Sequence, residues 1–339
     1  AALAKHSRDQ ERDADRGGQT LAAAAGFDPM GMPKFLKDLD AVERLTVGWS
    51  RLPNFFATHP TTPERMATAV NRAETLEWKR ATGIAHNRTG LLGRLDGLTL
   101  GPNPEEGVFE GTRFLHPDLG FTLRFPEGWE LFNSHQAVGA ISPNGDVQLT
   151  LTLAGRGDDP EVAAREFIAK RAPELRTDIE RTQTLEIGGL KAFRLEGTAQ
   201  TPNGSAKGHI TWIAFDGLVY EISSFAPSRV AASYLGRTRS VARSFRAMTD
   251  GERDIVQVVR LRIERSRRGE TLGVLLARSD NTLDPNFVAV SNDLYLEQKL
   301  VAGTLIKIGI AEPYVPKAVR ELRLTLDEEE QRQRQRSTE

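Results

Sequence analysis

The spacing of apolar residues changes near residue 111 of this 339-residue chain, and that change constrains the fold more than any other feature. Up to residue 82 the apolar side chains recur at helical spacing, whereas from 111 to 248 they alternate with polar ones. Helical spacing predicts amphipathic helices, and alternation predicts half-buried strands. Because the chain is also too long for one compact core, we expect two or three domains. The sequence therefore predicts a multidomain α+β protein.

Residues 1–82 are predicted to be helical, with well-marked helix ends. The first helix covers residues 1–25 and ends at Gly26, a residue suited to a left-handed cap. Asp28 and Pro29 then offer an N-cap followed by proline in the first turn of a second helix.

A third helix and a connecting segment complete this region. Thr61 and Glu64 form a capping box with a further apolar helical pattern behind it. The segment 83–110 is rich in glycine and proline, most densely at 101–107, and is predicted to be a linker.

The segment 111–248 is predicted to be an antiparallel sheet with helices packed on it. Alternating runs that predict strands fall at 121–125, 148–153, 185–187 with 192–195, 209–215 and 218–225. Between the last two, Asp216 and Gly217 are a strong signal for a tight hairpin turn. Helical patterns at 160–175 and 230–245 supply the covering layers. The segment thus reads as an α+β sandwich.

A smaller unit at 250–316 has the pattern strand, helix, helix, strand. The strands are predicted at 256–263 and 300–310, and the helices run to Ala277 and begin again at Val288. The charged tail at 317–339 has no apolar face at its end and is predicted to be frayed or disordered.

Composition excludes several kinds of partner. With a net charge of −1, the chain has no global field that would attract nucleic acid or an anionic membrane. It has no cysteine, so we expect neither disulfides nor a thiolate zinc site. No apolar run reaches about 18 residues, so no transmembrane segment is predicted. The chain opens in helical sequence without an initiator Met, and we interpret it as cut from a longer protein.

The segment 7–18 holds the most specific local pattern. On a helix, Glu11 and Asp15 lie four residues apart on one face, where their like charges are mildly unfavourable. Ala14 and Gly18 are small and would allow a neighbouring helix to approach closely. Such a carboxylate pair is most often a solvated helix face, so the pattern needs a wider context.

That context is a resemblance to the HtpX and CAAX-prenyl-endopeptidase family of zinc metallopeptidases. The matching positions are Ser7, Arg8, Glu11, Ala14, Asp15, Arg16 and Gly18. In this family a later helix supplies a glutamate ligand to zinc, and two histidines come from an HExxH helix. The resemblance implies that the cofactor is Zn²⁺, that Glu11 is a ligand, and that Asp15 orients a ligand histidine.

The segment 58–66 resembles a second motif of the periplasmic family members, a His-Pro pair followed by Arg. The matching residues are His59 and Arg65, which the resemblance places beside the catalytic centre. We expect His59 to approach the zinc face and Arg65 to hold its loop or a substrate carbonyl. The alternatives are an exposed loop histidine and an arginine on a helix surface.

The chain contains no HExxH sequence. No two of its histidines lie four residues apart: they are His6, His59, His86, His116, His135 and His209. The ligand histidines and the general base are therefore expected upstream of this sequence. On that interpretation the 339-residue chain alone is inactive and binds zinc weakly.

Two further resemblances concern the later segments. On the segments 119–129, 213–225 and 244–245, residues 111–248 resemble PsbP-like modules, which bind partners or have no known chemistry. On the segments 268–272, 275–279, 291–292 and 300–308, residues 256–310 resemble LysM modules, which bind N-acetylglucosamine polymers such as peptidoglycan. The alternative for the second segment is docking within the protein.

The leading hypothesis is a periplasmic, envelope-associated zinc metalloendopeptidase of a Gram-negative bacterium, acting on protein or peptide substrates. The competing hypothesis is a non-catalytic envelope-binding protein whose helical segment is a degenerate relic. A third reading is a processed product whose mature terminus is Ala1.

Overall fold

The computed structural model describes residues 2–46, 63–81, 87–202 and 204–320. The chain divides into two compact units that interleave along the sequence. Unit 1 comprises Ala1–Leu100 with Val259–Ala311, and unit 2 comprises Gly101–Val258 with Glu312–Glu339. Helices come first along the chain and antiparallel sheets follow, so the predicted α+β class is confirmed.

Unit 1 begins with three helices predicted from the apolar pattern, α1 (Ala2–Ala24), α2 (Gly31–Thr46) and α3 (Pro63–Thr75). A fourth helix, α4 (Arg88–Leu95), lies in the segment predicted as a linker. The helix α1 ends as expected, because Gly26 has φ +80° and Phe27 N donates to Ala22 O at 2.9 Å. Asp28 accepts a hydrogen bond from Met30 N at 2.8 Å. The helix α2 begins at Gly31, two residues after Pro29, which was predicted to lie in its first turn. Leu36 on α2 and Ala69 and Ala73 on α3 are buried, and α2 packs on α3.

The segment predicted as a linker contains regular structure in its described part, 87–110. Asn87 caps α4 by accepting a bond from Gly90 N at 2.8 Å. A short strand β1 (Thr99–Leu100) then pairs antiparallel with the strand Gln257–Arg265. The linker prediction is therefore corrected. In this segment glycine and proline separate short helices and strands. The partner of β1 is so distant in sequence that a local pattern could not predict the pairing.

Unit 2 is built on antiparallel strands. Its strands are β2 (Val108–Glu110), β3 (Arg113–His116), β4 (Phe121–Arg124), β5 (Glu130–Asn133), β6 (Val138–Ile141), β7 (Gln148–Arg156), β8 (Thr177–Ile187), β9 (Leu190–Thr201), β10 (Gly204–Phe215), β11 (Leu218–Pro227) and β12 (Arg246–Ala247). Within the described residues, the larger sheet has the order β5-β6-β7-β11-β10-β9-β8. The smaller one has the order β12-β4-β3-β2.

The predicted hairpin is confirmed at its turn. Phe215 pairs with Leu218, and the two residues between them have positive φ, +50° at Asp216 and +72° at Gly217. The strand β8 begins eight residues before the predicted 185–187, because an edge strand exposed on much of its length needs no apolar alternation.

Helices cover both faces of the larger sheet. The first, α5, runs through Pro160–Glu166, a π-helical turn at Phe167–Arg171 and a last turn at Ala172–Glu174. It packs on a core that includes Trp212. The helix α6 (Ala231–Arg243) covers the other face, whose core includes Phe245. A short helix, α7 (Asp250–Asp254), follows.

Unit 1 closes with the predicted strand-helix-helix-strand pattern. Its elements are β13 (Gln257–Arg265), α8 (Leu272–Arg278), α9 (Pro285–Asn292) and β14 (Leu305–Pro313). The strand β13 lies between β1 and β14 in one sheet. Buried Leu275, Val288 and Ile306 form the core of this part, and α9 also packs on α2.

Of the tail predicted at 317–339, residues 317–320 are helical and the rest lies outside the described residues. Among the helices that the structure describes, none combines the length and apolar content needed to cross a membrane.

Candidate functional site: a carboxylate pair held by Arg65

The helix α1 presents Glu11 and Asp15 on one face. Because the two residues are four positions apart, they lie one helical turn apart on the same face, as predicted. Their side chains are 16% and 18% exposed, so this face is mostly shielded from solvent. A shielded pair of like charges requires a nearby cation.

Arg65, near the start of α3, supplies that cation. Its Nε donates to Asp15 Oδ2 at 2.7 Å, and its Nη2 donates to Asp15 Oδ1 at 2.8 Å. The same Nη2 lies 2.9 Å from Glu11 Oε2. The hydrogen bonds to Asp15 are the largest cause of a raised pKa at Arg65. One planar guanidinium thus fixes the orientation of both carboxylates.

The sequence suggested that Arg65 holds the His59 loop or a substrate carbonyl. The structure adds its contacts with Glu11 and Asp15. His59 itself lies outside the described residues. The roles predicted for Glu11, Asp15, His59 and Arg65 stay predictions.

Gln19 continues the same face one turn further along α1. Its side chain is 1% exposed, and its Nε2 donates to Pro29 O at 3.0 Å and to Ala69 O at 2.8 Å. The sequence reasoning missed Gln19, although its spacing of four residues from Asp15 was a usable signal.

Exposed contacts flank this interface between α1 and α3. Arg12 Nη2 donates to Glu64 Oε1 at 3.0 Å, and Arg72 Nη2 donates to Thr20 Oγ1 at 2.7 Å. The site therefore belongs to a helix pair connected along its length.

The described residues do not by themselves fit a zinc ion. Among them, no group of three or more His, Cys, Asp and Glu side chains is placed to hold a metal. The cluster offers two carboxylates beside a guanidinium and no imidazole, whereas zinc sites in proteins use nitrogen or sulfur ligands in a fourfold set. A zinc site here would need histidines from elsewhere.

The helical segment has known relatives. Residues 1–73 match the model of Peptidase family M48. The match includes α1 and most of α3, so Glu11, Asp15 and Arg65 all lie inside it. This segment is accordingly related to M48 peptidases.

Curated proteins are similar over the same short length. The beta-barrel assembly-enhancing protease of Escherichia coli strain K12 is 40% identical over 67 residues, which cover 20% of this chain and 13% of that protein. The protein of the same name from Shigella flexneri matches equally. The chain thus spans about an eighth of the length of these relatives.

Solved structures are similar to a larger share of the chain at low identity. Cyanobacterial PsbP from Synechocystis sp. PCC 6803 is 12% identical, with a TM-score of 0.35, covering 42% of this chain and 95% of that one. LpqN, described as involved in cell envelope biogenesis of Mycobacterium tuberculosis, is 14% identical, with a TM-score of 0.31. It covers 49% of this chain and 100% of its own. Structural similarity at this level of sequence identity and TM-score does not establish a shared function.

Proposed function

We propose that this chain is part of a zinc-dependent metalloendopeptidase that acts on envelope proteins in the periplasm of a Gram-negative bacterium. The reaction would be hydrolysis of peptide bonds by a zinc-activated water. The M48 match at residues 1–73 supports the class of enzyme. The similarity to the protease of Escherichia coli supports a role in the envelope.

One observation carries the proposal. Glu11 and Asp15, the residues that the family pattern marks, are shielded from solvent and oriented by one guanidinium. In the proposal Glu11 is a zinc ligand, and Asp15 orients a ligand histidine. Arg65 is a positioning residue that fixes both carboxylates. Outer contacts of this kind tune metal affinity about 10- to 100-fold.

In this proposal, the remaining parts of the zinc centre come from other segments. The ligand histidines and the general base lie outside this sequence, which contains no HExxH. His59 approaches the zinc face from its own segment. The 339-residue chain alone is then inactive and binds zinc weakly.

The test uses the full-length protein, with zinc content measured by mass spectrometry and activity by casein cleavage. Glu11→Ala should abolish both zinc retention and cleavage. Glu64→Gln is the matched control, because Glu64 is an exposed carboxylate on the neighbouring helix that pairs with Arg12. A Glu11→Ala protein that keeps its zinc would remove Glu11 from the metal site.

The 339-residue chain provides a second check. A zinc titration against a chromophoric chelator should give only weak binding. Stoichiometric binding at submicromolar zinc would mean that the ligands lie within this chain, contrary to the proposal.

A second candidate function is non-catalytic binding to peptidoglycan through the LysM-like pattern at 256–310. Gly273 N donates to Leu296 O at 2.9 Å, so the start of α8 lies against the segment after α9. On these segments Val274 and Tyr295 are exposed, Tyr295 by 79%. Exposed apolar and aromatic side chains on two neighbouring segments suit the faces of sugar rings.

Sedimentation with purified peptidoglycan tests this candidate. Tyr295→Ala should reduce the bound fraction, whereas Val162→Ser, which changes an exposed apolar residue of unit 2, should not. Equal sedimentation of both variants and the unmodified chain would exclude this surface.

A further inference from the structure

A cleft lies in unit 2 between the end of β4 and one face of α6. Its cavity volume is about 440 Å³, which is within the range of about 300–1,000 Å³ that ligand sites in proteins occupy. One wall is formed by residues 124–127, and the other by Arg237, Ser240, Val241 and Ser244. The residues of the second wall are spaced by three and four positions, so they share one face of α6 and its C-cap.

The two walls are fastened together at one end. The backbone N–H of Arg124 donates to Ser244 Oγ at 2.8 Å, and Ser244 Oγ in turn donates to Val241 O at 2.7 Å. Phe125 follows in the first wall; it is buried, and its N–H donates to Thr112 O at 2.8 Å. The shape of the cleft is therefore part of the fold. A pre-formed site loses little conformational entropy when a ligand binds.

The cleft combines an apolar floor with a cationic rim. Its lining includes buried apolar side chains such as Val241, whereas Arg124 and Arg237 are exposed. Arg243 brings a third guanidinium to the rim, because its Nη2 donates to Ser240 Oγ at 2.9 Å. A ligand that fits this surface needs both an apolar group and negative charge.

These three arginines have no carboxylate partner in the part of the chain that the structure describes. Arg124, Arg237 and Arg243 take part in no ion pair there. Arg239, which does not line the cleft, is paired: its Nη2 lies 2.8 Å from Glu196 Oε2. Guanidinium groups bind carboxylates strongly through two parallel hydrogen bonds, and at the cleft the described residues leave that capacity unused.

The sequence around α6 concentrates positive charge. Residues 231–246 contain four arginines and no acidic residue, although the net charge of the chain is −1. Such a local concentration attracts anionic groups even on a nearly neutral protein. Glu127 also lines the cleft, and its charge opposes a compact, multiply charged ion such as phosphate. Single carboxylates spaced along a peptide avoid this repulsion and can reach separate guanidinium groups.

We propose that this cleft binds an acidic peptide segment of a partner protein, one in which an apolar side chain lies between two carboxylates. In this proposal the carboxylates pair with Arg124 and Arg237, and the apolar side chain lies against Val241. The charge of the cleft and its apolar lining select this class of ligand. The site lies within unit 2 and does not depend on the proposed peptidase function.

The experiment measures the fluorescence anisotropy of the rhodamine-labelled peptide Gly-Glu-Leu-Glu-Gly as the full chain is added at low ionic strength. The peptide should bind, and its Kd should rise with added sodium chloride because salt screens the charges. The companion peptide Gly-Gln-Leu-Gln-Gly should bind at least about tenfold more weakly, since it has lost both carboxylates. Gly-Glu-Ser-Glu-Gly should also bind more weakly, because it has no group for the apolar lining.

Variants of the cleft test the site itself. Arg237→Gln should weaken binding of the acidic peptide about fivefold or more, and its combination with Arg124→Gln should abolish binding. Ser240→Phe, which fills the cleft without changing its charge, should also abolish binding. All three positions are exposed, so the thermal unfolding of these variants should stay close to that of the unmodified chain.

Matched controls exist for both kinds of change. Arg181→Gln removes the same charge from an exposed position of β8, and Ser233→Phe adds the same ring at an exposed position of α6. Neither residue lines the cleft, so both variants should keep the peptide affinity of the unmodified chain.

Four outcomes would overturn the proposal. Equal affinity of Ser240→Phe and the unmodified chain would reflect general charge attraction, and no binding by the unmodified chain would exclude this class of ligand. Calorimetric binding of inorganic phosphate that Arg237→Gln weakens, without peptide binding, would assign the cleft to a small anion. Peptide binding that appears only when residues 327–330, an acidic run of this chain, are changed to their amides would assign the cleft to that run.

Discussion

Arg65 Nε donates to Asp15 Oδ2 at 2.7 Å, across 50 residues of sequence. This contact joins α1 to α3 and brings Glu11 into the same cluster. The pair is therefore a structural contact of the helices as well as the proposed support of a metal ligand. The two roles make different predictions.

The structural role predicts a loss of stability in Arg65→Met. Removing the guanidinium leaves two shielded carboxylates facing each other, which should lower the free energy of unfolding by about 2–3 kcal/mol. Urea unfolding followed by circular dichroism measures this. Arg65→Lys should recover part of the loss, because an ammonium keeps the charge without the planar fork. Arg12→Gln, which breaks an exposed pair, should cost less than about 1 kcal/mol; a loss as large as that of Arg65→Met would contradict this account.

Gln19→Leu should also destabilise the helix pair. The change leaves Pro29 O and Ala69 O without the amide donor that both accept from. A loss of about 2 kcal/mol in unfolding free energy is expected, again by urea denaturation. Gln10→Leu at an exposed position of α1 is the control and should change stability by less than about 0.5 kcal/mol. Similar losses in both variants would show that the buried amide is unimportant.

Gly26 and Gly17 should respond oppositely to alanine. A Cβ at Gly26 would lie 2.5 Å from Ala81 N and 2.8 Å from Lys79 O, at φ +80°, so Gly26→Ala should destabilise by about 2 kcal/mol. Gly17 lies within α1 with no atom within 4 Å of the new Cβ, so Gly17→Ala should stabilise by about 0.5–1 kcal/mol. Thermal unfolding of the two variants measures the contrast, and a shift of the same sign in both would refute it.

Glu252 should make unit 2 sensitive to acid. Its carboxylate accepts from Arg246 Nη2 at 2.7 Å and from Arg113 Nη1 at 2.8 Å. The hydrogen bond from Arg246, followed by those from Thr249, lowers its pKa to about 2. A carboxyl whose pKa is depressed on folding stabilises the protein above its unfolded value of 4.5. That contribution is lost as the pH falls from about 5 towards 2.

The test compares the pH dependence of unfolding free energy. Glu252→Gln should give a flatter profile than the unmodified chain between about pH 5 and 2. Glu174→Gln, at an exposed carboxylate, serves as the control and should keep the original profile. Parallel profiles for Glu252→Gln and the unmodified chain would contradict the assignment.

Local signals in the sequence predicted much of the fold. The turn at Asp216 and Gly217 was predicted because positive φ favours those residue types, and the end of α1 at Gly26 has the same basis. The edge strand β8 was largely missed because edge positions carry little apolar pattern.

Contacts between distant residues could not be predicted in the same way. The sequence placed Glu11 and Asp15 on one face but gave no means of pairing them with Arg65 on another helix. The contact between Arg239 and Glu196 depends on how α6 lies over β9, which no single segment encodes. Side-chain partners across elements are decided by tertiary packing.

The chain passes between units 1 and 2 three times, at Leu100–Gly101, Val258–Val259 and Ala311–Glu312. Each passage lies at or within one of the three adjacent strands β1, β13 and β14. No single cut in the sequence can therefore release either unit intact. A ribosome that has finished Val258 has completed neither unit, so neither unit can fold fully before the segment after Val258 has been made.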